Sequence, residues 1–442
     1  MIDTEAIRSS LLPLSLSDGE LRDLSRALES PPRPAVRVRP GVDLDSLPFP
    51  VERTAWHPNG YFVQGDTRPA SCIRFATGDY YIQDAASLLA MTALDAQSGE
   101  RICDLCAAPG GKATAIVESV GDEGWLLANE TIGSRVSALC LNLARQGATQ
   151  FAVCQRDPET LATILGTVFD AVLVDAPCSG QSLVSRGRQT ESAFGARAVE
   201  YCAARQTRIL AAAARLVRPR GRLVYSTCTF SHAENEGQVE AFLASHPEFC
   251  LVPCQTLQPW ESEVLPGSYR LWPHRHGCGG SFSAALVRRE AMVGPANRRG
   301  RKPRAILKPS QIPDEISMWG RLVFESVRAT SDRCFGWARS LWPLLGAVCH
   351  AGPEVAFRKG RTWFPSYALA MRRDPNWTPN ATAKLSDQEA ADYLRGFPIP
   401  CGQVGWAVAT WKNRPLGWLK GNGRTAKNHL LKAARLSISG TE

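Results

Sequence analysis

Two short stretches carry the residues best suited to chemistry. "FDAVLVDAPCSG", residues 169–180, runs an apolar strand into Asp175 and then Pro177 and Cys178. "GRLVYSTCTFSHAENE", residues 221–236, runs Leu223, Val224 and Tyr225 into Ser226, Thr227 and Cys228. A lone cysteine is ordinarily a small buried hydrophobe. Two that follow strand ends, with an acid between polar loops, point to a reactive pair. A thiolate can add to an electron-poor ring carbon. Carbon 6 of a cytosine is such a centre, above all when an acid such as Asp175 holds or protonates N3. Addition makes carbon 5 a nucleophile that can accept a methyl group; loss of the carbon-5 proton and expulsion of the thiol finish the cycle. The ring must be presented singly, from a single strand or flipped out of a duplex.

The elements that would hold these residues alternate. Helix 84–95 precedes strand 101–106, and a Gly-rich turn leads to helix 111–119 and strand 125–129. Helix 134–146, strands 151–154 and 170–175, helix 199–217, strand 222–226, helix 232–245 and a last strand near 281–287 follow. Strands separated by helices predict an α/β, Rossmann-like, doubly wound and mostly parallel sheet. Its strand ends line one crevice, the usual ligand site.

"ICDLCAAPGGKAT" sits at the first strand-to-helix turn. Gly110 and Gly111 permit close backbone approach, and the helix behind them offers free N–H groups. The spacing is neither GxGxxG nor a P-loop. Glu130 ends the second strand, where a carboxylate can accept from a ribose diol, and Asp157 follows the third, where it could hold an adenine amino group. Ribose and adenine without a phosphate loop suggest S-adenosylmethionine over NAD or ATP; Lys112 alone does not restore the ATP reading.

The bulk numbers bound the rest. A chain of 442 residues holds two or three domains. No apolar run approaches the roughly 18–20 residues of a membrane span, and "MIDTEAIRSS" lacks a signal pattern; a soluble, cytoplasmic protein is expected. Fourteen cysteines are too sparse for a disulfide scaffold. Cys103 and Cys106 form a CxxC without a second pair, and "HRH" at 274–276 falls short of a ligand set, so no metal is expected. Net charge is +9, but residues 291–442 hold 24 Lys and Arg against 10 Asp and Glu, leaving 27 against 32 before them. A basic appendage on a mildly acidic body suggests a polyanion partner, RNA or DNA first. Ser17 with Glu20 and Ser386 with Glu389 read as capping boxes, and "VGWAVATWKNRPLGWLKG" as a hairpin turning at 412–415. There Lys412, Arg414, Lys420, Arg424, Lys427 and Lys432 could contact phosphates, with Trp411 and Trp418 either stacking on bases or packing the hairpin.

These stretches resemble the Sun-type (nucleolar-protein/Sun) RNA 5-methylcytosine methyltransferase family. The shared pieces are "YYIQDAAS" (80–87), "DLCAAPGGK" (104–112), "ANE" and "SRV" (128–136), "DAPCSG" (175–180), "GRLVYSTCT" (221–229) and "ENE" (234–236), with "RPAVRVRP" (33–40) like the N-terminal segment except for Arg39 in place of an Asn. The resemblance implies Cys228 as the nucleophile, Cys178 as the thiol that helps release product, and Asp175 at the cytosine close to the methyl donor. It implies S-adenosylmethionine on Ala107, Ala108, Pro109, Gly110, Gly111, Lys112, Ala113, Glu130, Asp157 and Asp175. Arg37, Arg135, Lys420 and Lys427 are the expected RNA contacts. "FPSYALAM" (364–371), "EAADYLRG" (389–396) and "PLGWLKG…KNHLLKAAR" (415–435) resemble the PUA-like RNA-binding end of bacterial ribosomal-RNA members.

The expected layout is an N-terminal RNA-binding segment (1–75), a methyltransferase domain (76–290), a basic linker (291–312) and a PUA-like α+β region (313–442). The expected partner is ribosomal RNA of the small subunit, with tRNA as the rival, and the expected oligomeric state is a monomer. A DNA methyltransferase is disfavoured because no large target-recognition insert divides the motifs. A non-catalytic assembly factor is disfavoured because both thiols and the cofactor acids are intact. After "DAPCSG" the chain departs from the family pattern, lacking its Trp across 181–201, so its substrate contacts there are its own.

Overall fold

The Val/Arg alternation after the Pro-rich turn forms a strand, and its neighbours decide which way the arginine points. β1 (Ala35–Val38), β2 (Val51–Arg53), β3 (Gly60–Val63) and β4 (Tyr80–Ile82) make an antiparallel sheet in the order β2-β3-β1-β4. β1 is central and wholly buried. Val36 and Val38 enter an apolar cluster with Phe49, Tyr61 and Tyr80, and Arg37, on the opposite face, turns inward against the next domain. The fourth strand lies beyond the boundary expected at 75, because "YYI" pairs with β1. The computed structural model describes residues 3–290 and 314–438; the linker expected over 291–312 lies outside them.

The second sheet carries the chemistry. β5 (Arg101–Asp104), β6 (Trp125–Asn129), β7 (Phe151–Cys154), β8 (Phe169–Asp175) and β9 (Val217–Thr227) are parallel, in the order β9-β8-β5-β6-β7. β10 (Phe249–Leu251), β11 (Ser268–Leu271) and β12 (Ser281–Arg288) add an antiparallel edge through β12 against β9. The doubly wound expectation holds. Covered on both faces, these strands read as continuous apolar runs. Two expected helices are broken: 84–95 becomes a 3-10 turn, Ala85–Leu88, then helix Leu89–Leu94, and 232–245 becomes His232–Glu234, then Glu236–Ser245.

N-terminal helices Thr4–Leu11 and Asp18–Ala27, the second begun by the Ser17/Glu20 capping box, pack Ile7, Leu11, Leu21 and Leu24 on Phe194, Phe230 and Trp272. They therefore brace the loops that follow both reactive strands.

The C-terminal region is two larger sheets and a separate strand pair. β13 (Gly320–Leu322), β14 (Ser326–Ala329), β15 (Arg333–Trp337), β16 (Glu354–Lys359), β17 (Thr362–Pro365) and β18 (Trp377–Pro379) supply an antiparallel β14-β15-β16-β17 sheet and a β13-β18 pair. β19 (Thr382–Lys384), β20 (Ile399–Pro400), β21 (Val404–Trp411), β22 (Arg414–Asn422) and β23 (Thr425–Asn428) form the other, ordered β19-β21-β22-β23-β20. The first sheet's module covers the open edge of the parallel sheet, which would otherwise present unpaired groups: Val153 N–H donates to Ala351 O at 2.8 Å, and Trp337 Nε1 to Phe151 O at 2.8 Å. The expected hairpin is β21–β22. Lys412 and Asn413 turn it with φ of 45° and 62°, the conformation such tight turns require, here without a glycine to announce it. Among the described residues no helix is long and apolar enough to cross a membrane.

Candidate active site

β8 and β9 are neighbours in register, Asp175 opposite Ser226, so the loops leaving them emerge side by side. Cys178 and Cys228 consequently meet, Sγ to Sγ, at 3.4 Å. Either sulfur can donate in this contact; the contact with Cys228 and then burial push the Cys178 thiol well above the ordinary thiol range. Cys228 is held below that range by the hydrogen bond with Cys178, helped by Ser182 and the Lys112 charge and opposed by burial and Asp175. The two shifts run in opposite directions and favour Cys228 as the thiol that ionises first.

A network beneath the pair fixes both loops. Glu234 is fully buried. Its carboxylate accepts from Ser179 N at 2.9 Å, from the Ser179 hydroxyl, and from Gln206 Nε2 at 2.9 Å. The Ser179 hydroxyl also meets Thr229 Oγ1 at 2.8 Å, tying the Cys178 loop to the Cys228 loop. Asn235 accepts from Thr227 Oγ1 and donates to Thr229 O at 2.9 Å, and Glu236 forms a buried ion pair with Arg270. Each residue of "ENE" thus grips a different piece of the site. The motif stands out in the sequence, but these roles do not. The legible signal was Gln206, an uncharged amide on the apolar side of an Ala-rich helix.

Asp175 is held by Ser226 Oγ at 2.8 Å and by Lys112 Nζ at 2.7 Å. Burial disfavours the Lys112 charge, but Asp175 outweighs it and the lysine is raised. Asp104, buried at the end of β5, is pushed up to about 7 by burial and by the Asp175 charge. These residues line a crevice of about 650 Å³ with Ala107, Ala108, Pro109, Gly111 and Cys228. Leu183, Arg186 and Arg188 of the atypical loop close its far side.

The fit to S-adenosylmethionine is tested by the donors and acceptors at the strand ends. Gly110, at φ 115°, starts helix Gly111–Val120, whose N-terminus faces the crevice; a Cβ there would also press on Asn142 and Leu139 at 3.3–3.4 Å. Asn129 donates to Leu105 O and Arg156 O at 3.1 and 3.0 Å, locking three strand ends together. Glu130 caps its own turn through Ile132 N at 2.8 Å and pairs with Arg135 at 3.1 Å. Asp157 is the N-cap of helix Pro158–Leu165 through Oδ1, with no hydrogen bond at Oδ2 among the described residues. The glycine turn, Lys112, Asp104 and Asp175 line the crevice itself, while Glu130 and Asp157 stand at the neighbouring strand ends outside its lining; polar acceptors beside an open helix N-terminus fit the group.

Arg37 requires a correction. It is 3% exposed and donates to Gly111 O at 2.7 Å, to Thr114 Oγ1 at 3.1 Å and to Glu118 at 3.3 Å. Sitting on a central strand, it is buried against the glycine turn and its donors are spent on protein groups, which disfavours the expected RNA contact. Arg135 also braces that turn, donating to Ala108 O. Trp411 and Trp418 are each 1% exposed and donate to Asp387 and to Ser366 O at 2.7 Å; they pack the hairpin. Arg414 is held by buried Asp79. Lys420 and Lys427 are exposed. Cys103 is a buried thiol, raised by its burial, and among the described residues no group of His, Cys, Asp or Glu could hold a metal ion.

Fold and site together define an S-adenosylmethionine-dependent RNA methyltransferase. Residues 91–287 match the family model described as 16S rRNA methyltransferase RsmB/F, and residues 380–436 match the methyltransferase RsmF PUA domain. The chain is 30% identical over 404 residues to a protein of Escherichia coli O127:H6, covering 84% of this chain and 82% of that one. It is 31% identical over 406 residues to one of Erwinia tasmaniensis, covering 85% and 83%. Both are named ribosomal RNA small subunit methyltransferase F. The chain belongs to the ribosomal RNA small subunit methyltransferase F family. Among solved structures, a methyltransferase homolog protein from Pyrococcus horikoshii superimposes with TM-score 0.53 at 25% identity, over 63% of this chain and 98% of that one. NSun6 from the same organism with SFG gives 0.56 at 21% identity, over 65% and 98%, a likeness of fold.

Proposed function

We propose that this enzyme methylates carbon 5 of a cytidine in small-subunit ribosomal RNA through a covalent bond from Cys228 to carbon 6. The observation that carries the reading is the thiol pair, 3.4 Å apart, with Cys228 lining a crevice that also holds Asp175 and Lys112. Cys228, as thiolate, adds to carbon 6, and the electron pair of the 5,6 double bond moves toward carbon 5 and N3. Asp175, oriented by Ser226 and Lys112, delivers a proton to N3 as charge gathers there and is left as the carboxylate. When bound, S-adenosylmethionine supplies a methyl on a sulfonium, open to displacement by carbon 5. Transfer of the carbon-5 proton to solvent water, with return of the N3 proton to Asp175, then restores the double bond and expels Cys228 as thiolate. Cys178, the protonated partner, receives that thiolate in a hydrogen bond and so favours release. Glu130 and Asp157 hold the cofactor's ribose and adenine, and Ala107 to Ala113 its remaining polar groups. The ribosomal substrate rests on the family and on the basic C-terminal region; tRNA is the competing substrate.

Bisulfite sequencing of small-subunit ribosomal RNA and of tRNA after incubation with enzyme and S-adenosylmethionine tests the substrate. One new 5-methylcytosine in the ribosomal RNA is expected. Modification confined to tRNA contradicts the ribosomal assignment.

A further inference from the structure

Three lysines crowd an aromatic surface shared by the two C-terminal sheets. Lys420 on β22 and Lys427 on β23 stand directly opposite each other. Lys420 Nζ lies 5.3 Å from the centre of the Trp406 ring, and Lys359 Nζ lies 5.5 and 5.9 Å from those of Phe357 and Phe364. His429 joins the halves, 4.4 Å from Trp406 and 6.4 Å from Phe364. The lysines are exposed and the rings half-buried. Among the described residues none of the three lysines has an ion-pair partner. Burial holds His429 uncharged, at about 4, and the charges that add to this effect are those of Lys427, Lys420 and Lys359.

Like charges facing one another across a strand pair destabilise it. Three of them around uncharged rings form a concentrated positive field with nothing in the fold to answer it. A phosphodiester chain supplies the counter-charge, and an unpaired base supplies a flat face for a half-exposed ring. Trp406 and Phe364 are therefore the accessible rings, in place of the buried Trp411 and Trp418.

Resting on the reading of the enzyme as an RNA methyltransferase, we propose that this surface binds a single-stranded segment of the substrate RNA, with phosphates on Lys359, Lys420 and Lys427 and a base against Trp406. It is a positioning surface, separate from the crevice where the methyl is transferred.

The test is fluorescence anisotropy with a labelled single-stranded oligoribonucleotide, using the full chain and a Lys359→Gln/Lys420→Gln/Lys427→Gln variant over a series of salt concentrations. Affinity near physiological salt should fall by roughly tenfold or more, and the salt slope by about 1 per lysine removed. The melting temperature should hold or rise, because the like-charge contacts are gone. Trp406→Leu should weaken binding with the slope unchanged. Unaltered affinity and slope in the triple variant overturn the proposal. So does unaltered binding to free RNA with lost binding to small-subunit particles, which assigns the surface to a ribosomal protein. Wild-type protein that binds RNA here yet leaves every cytidine unmethylated contradicts the proposed reaction and leaves the surface standing.

Discussion

Cys178 and Cys228 are 50 residues apart in sequence and 3.4 Å apart in space, and their environments are asymmetric: the Cys178 thiol is pushed up and the Cys228 thiol is held down. Strand order makes this possible, since β8 and β9 are hydrogen-bonded neighbours that deliver both loops to one point. The opposite directions of the two shifts set two chemically identical groups apart.

Alkylation of Cys228 by iodoacetamide, followed by peptide mass spectrometry over a pH series, reads that asymmetry. In the wild type the inflection should lie below the ordinary thiol value. Cys178→Ala removes the largest stabilising contact to the thiolate, so the inflection should move up and alkylation at neutral pH slow severalfold. An inflection that stays put would mean the shift comes from elsewhere.

Glu234 touches neither thiol yet fixes both loops. Glu234→Gln offers one acceptor where three donors converge from two sides. A buried donor left unpaired costs about 1–3 kcal/mol. Melting temperature and kcat should both drop, while S-adenosylmethionine affinity, measured by calorimetry, stays near wild type. A variant with normal kcat would show that the loops hold their places unaided.

Arg37→Ala separates a supporting role from an RNA contact. It leaves half-buried Glu118 with a weaker partner set and the glycine turn without its buried strut. Breaking a buried pair costs about 3–5 kcal/mol. Stability and cofactor affinity should fall together, with the salt slope of RNA binding unchanged; a slope reduced by about 1 would restore the RNA assignment.

Asp104 predicts a pH dependence with a definite sign. Its folded value of about 7 lies above the ordinary 3.8, so the folded state retains a proton that the unfolded state has lost. Its contribution to stability is fully present below about 4 and is lost as pH rises through about 7. Asp104→Asn should therefore gain on the wild type as pH rises across that window, by at most about 4 kcal/mol. Chemical denaturation of the cofactor-free protein at pH 5 and pH 8 measures the difference, and an equal gap at both values would contradict the shift.

The parallel sheet was legible because its strands carry short apolar runs, four of which end on a polar residue. Asp104, Asn129, Asp175 and Thr227 are those residues, and each holds a loop or faces the crevice. The meeting of the thiols was legible as a shared crevice, since strand ends converge. Arg37 misleads because alternation on β1 implies an exposed face only when one face of the sheet is open, and here the next domain covers it. Trp411 and Trp418 read equally well as stacking or packing residues; burial, which local sequence does not encode, decided between them. The role of Glu234 is hidden in the sequence because its partners, Ser179 and Gln206, lie 55 and 28 residues away.

The central claim is a covalent Cys228–RNA bond that Cys178 helps to break. Cys178→Ala and Cys228→Ala variants, incubated with S-adenosylmethionine and small-subunit ribosomal RNA and run on denaturing gels, test it most directly. A protein–RNA band that survives denaturation with Cys178→Ala and is missing with Cys228→Ala is the predicted result. The reverse pattern would make Cys178 the nucleophile and contradict the assignment drawn from the thiol pair.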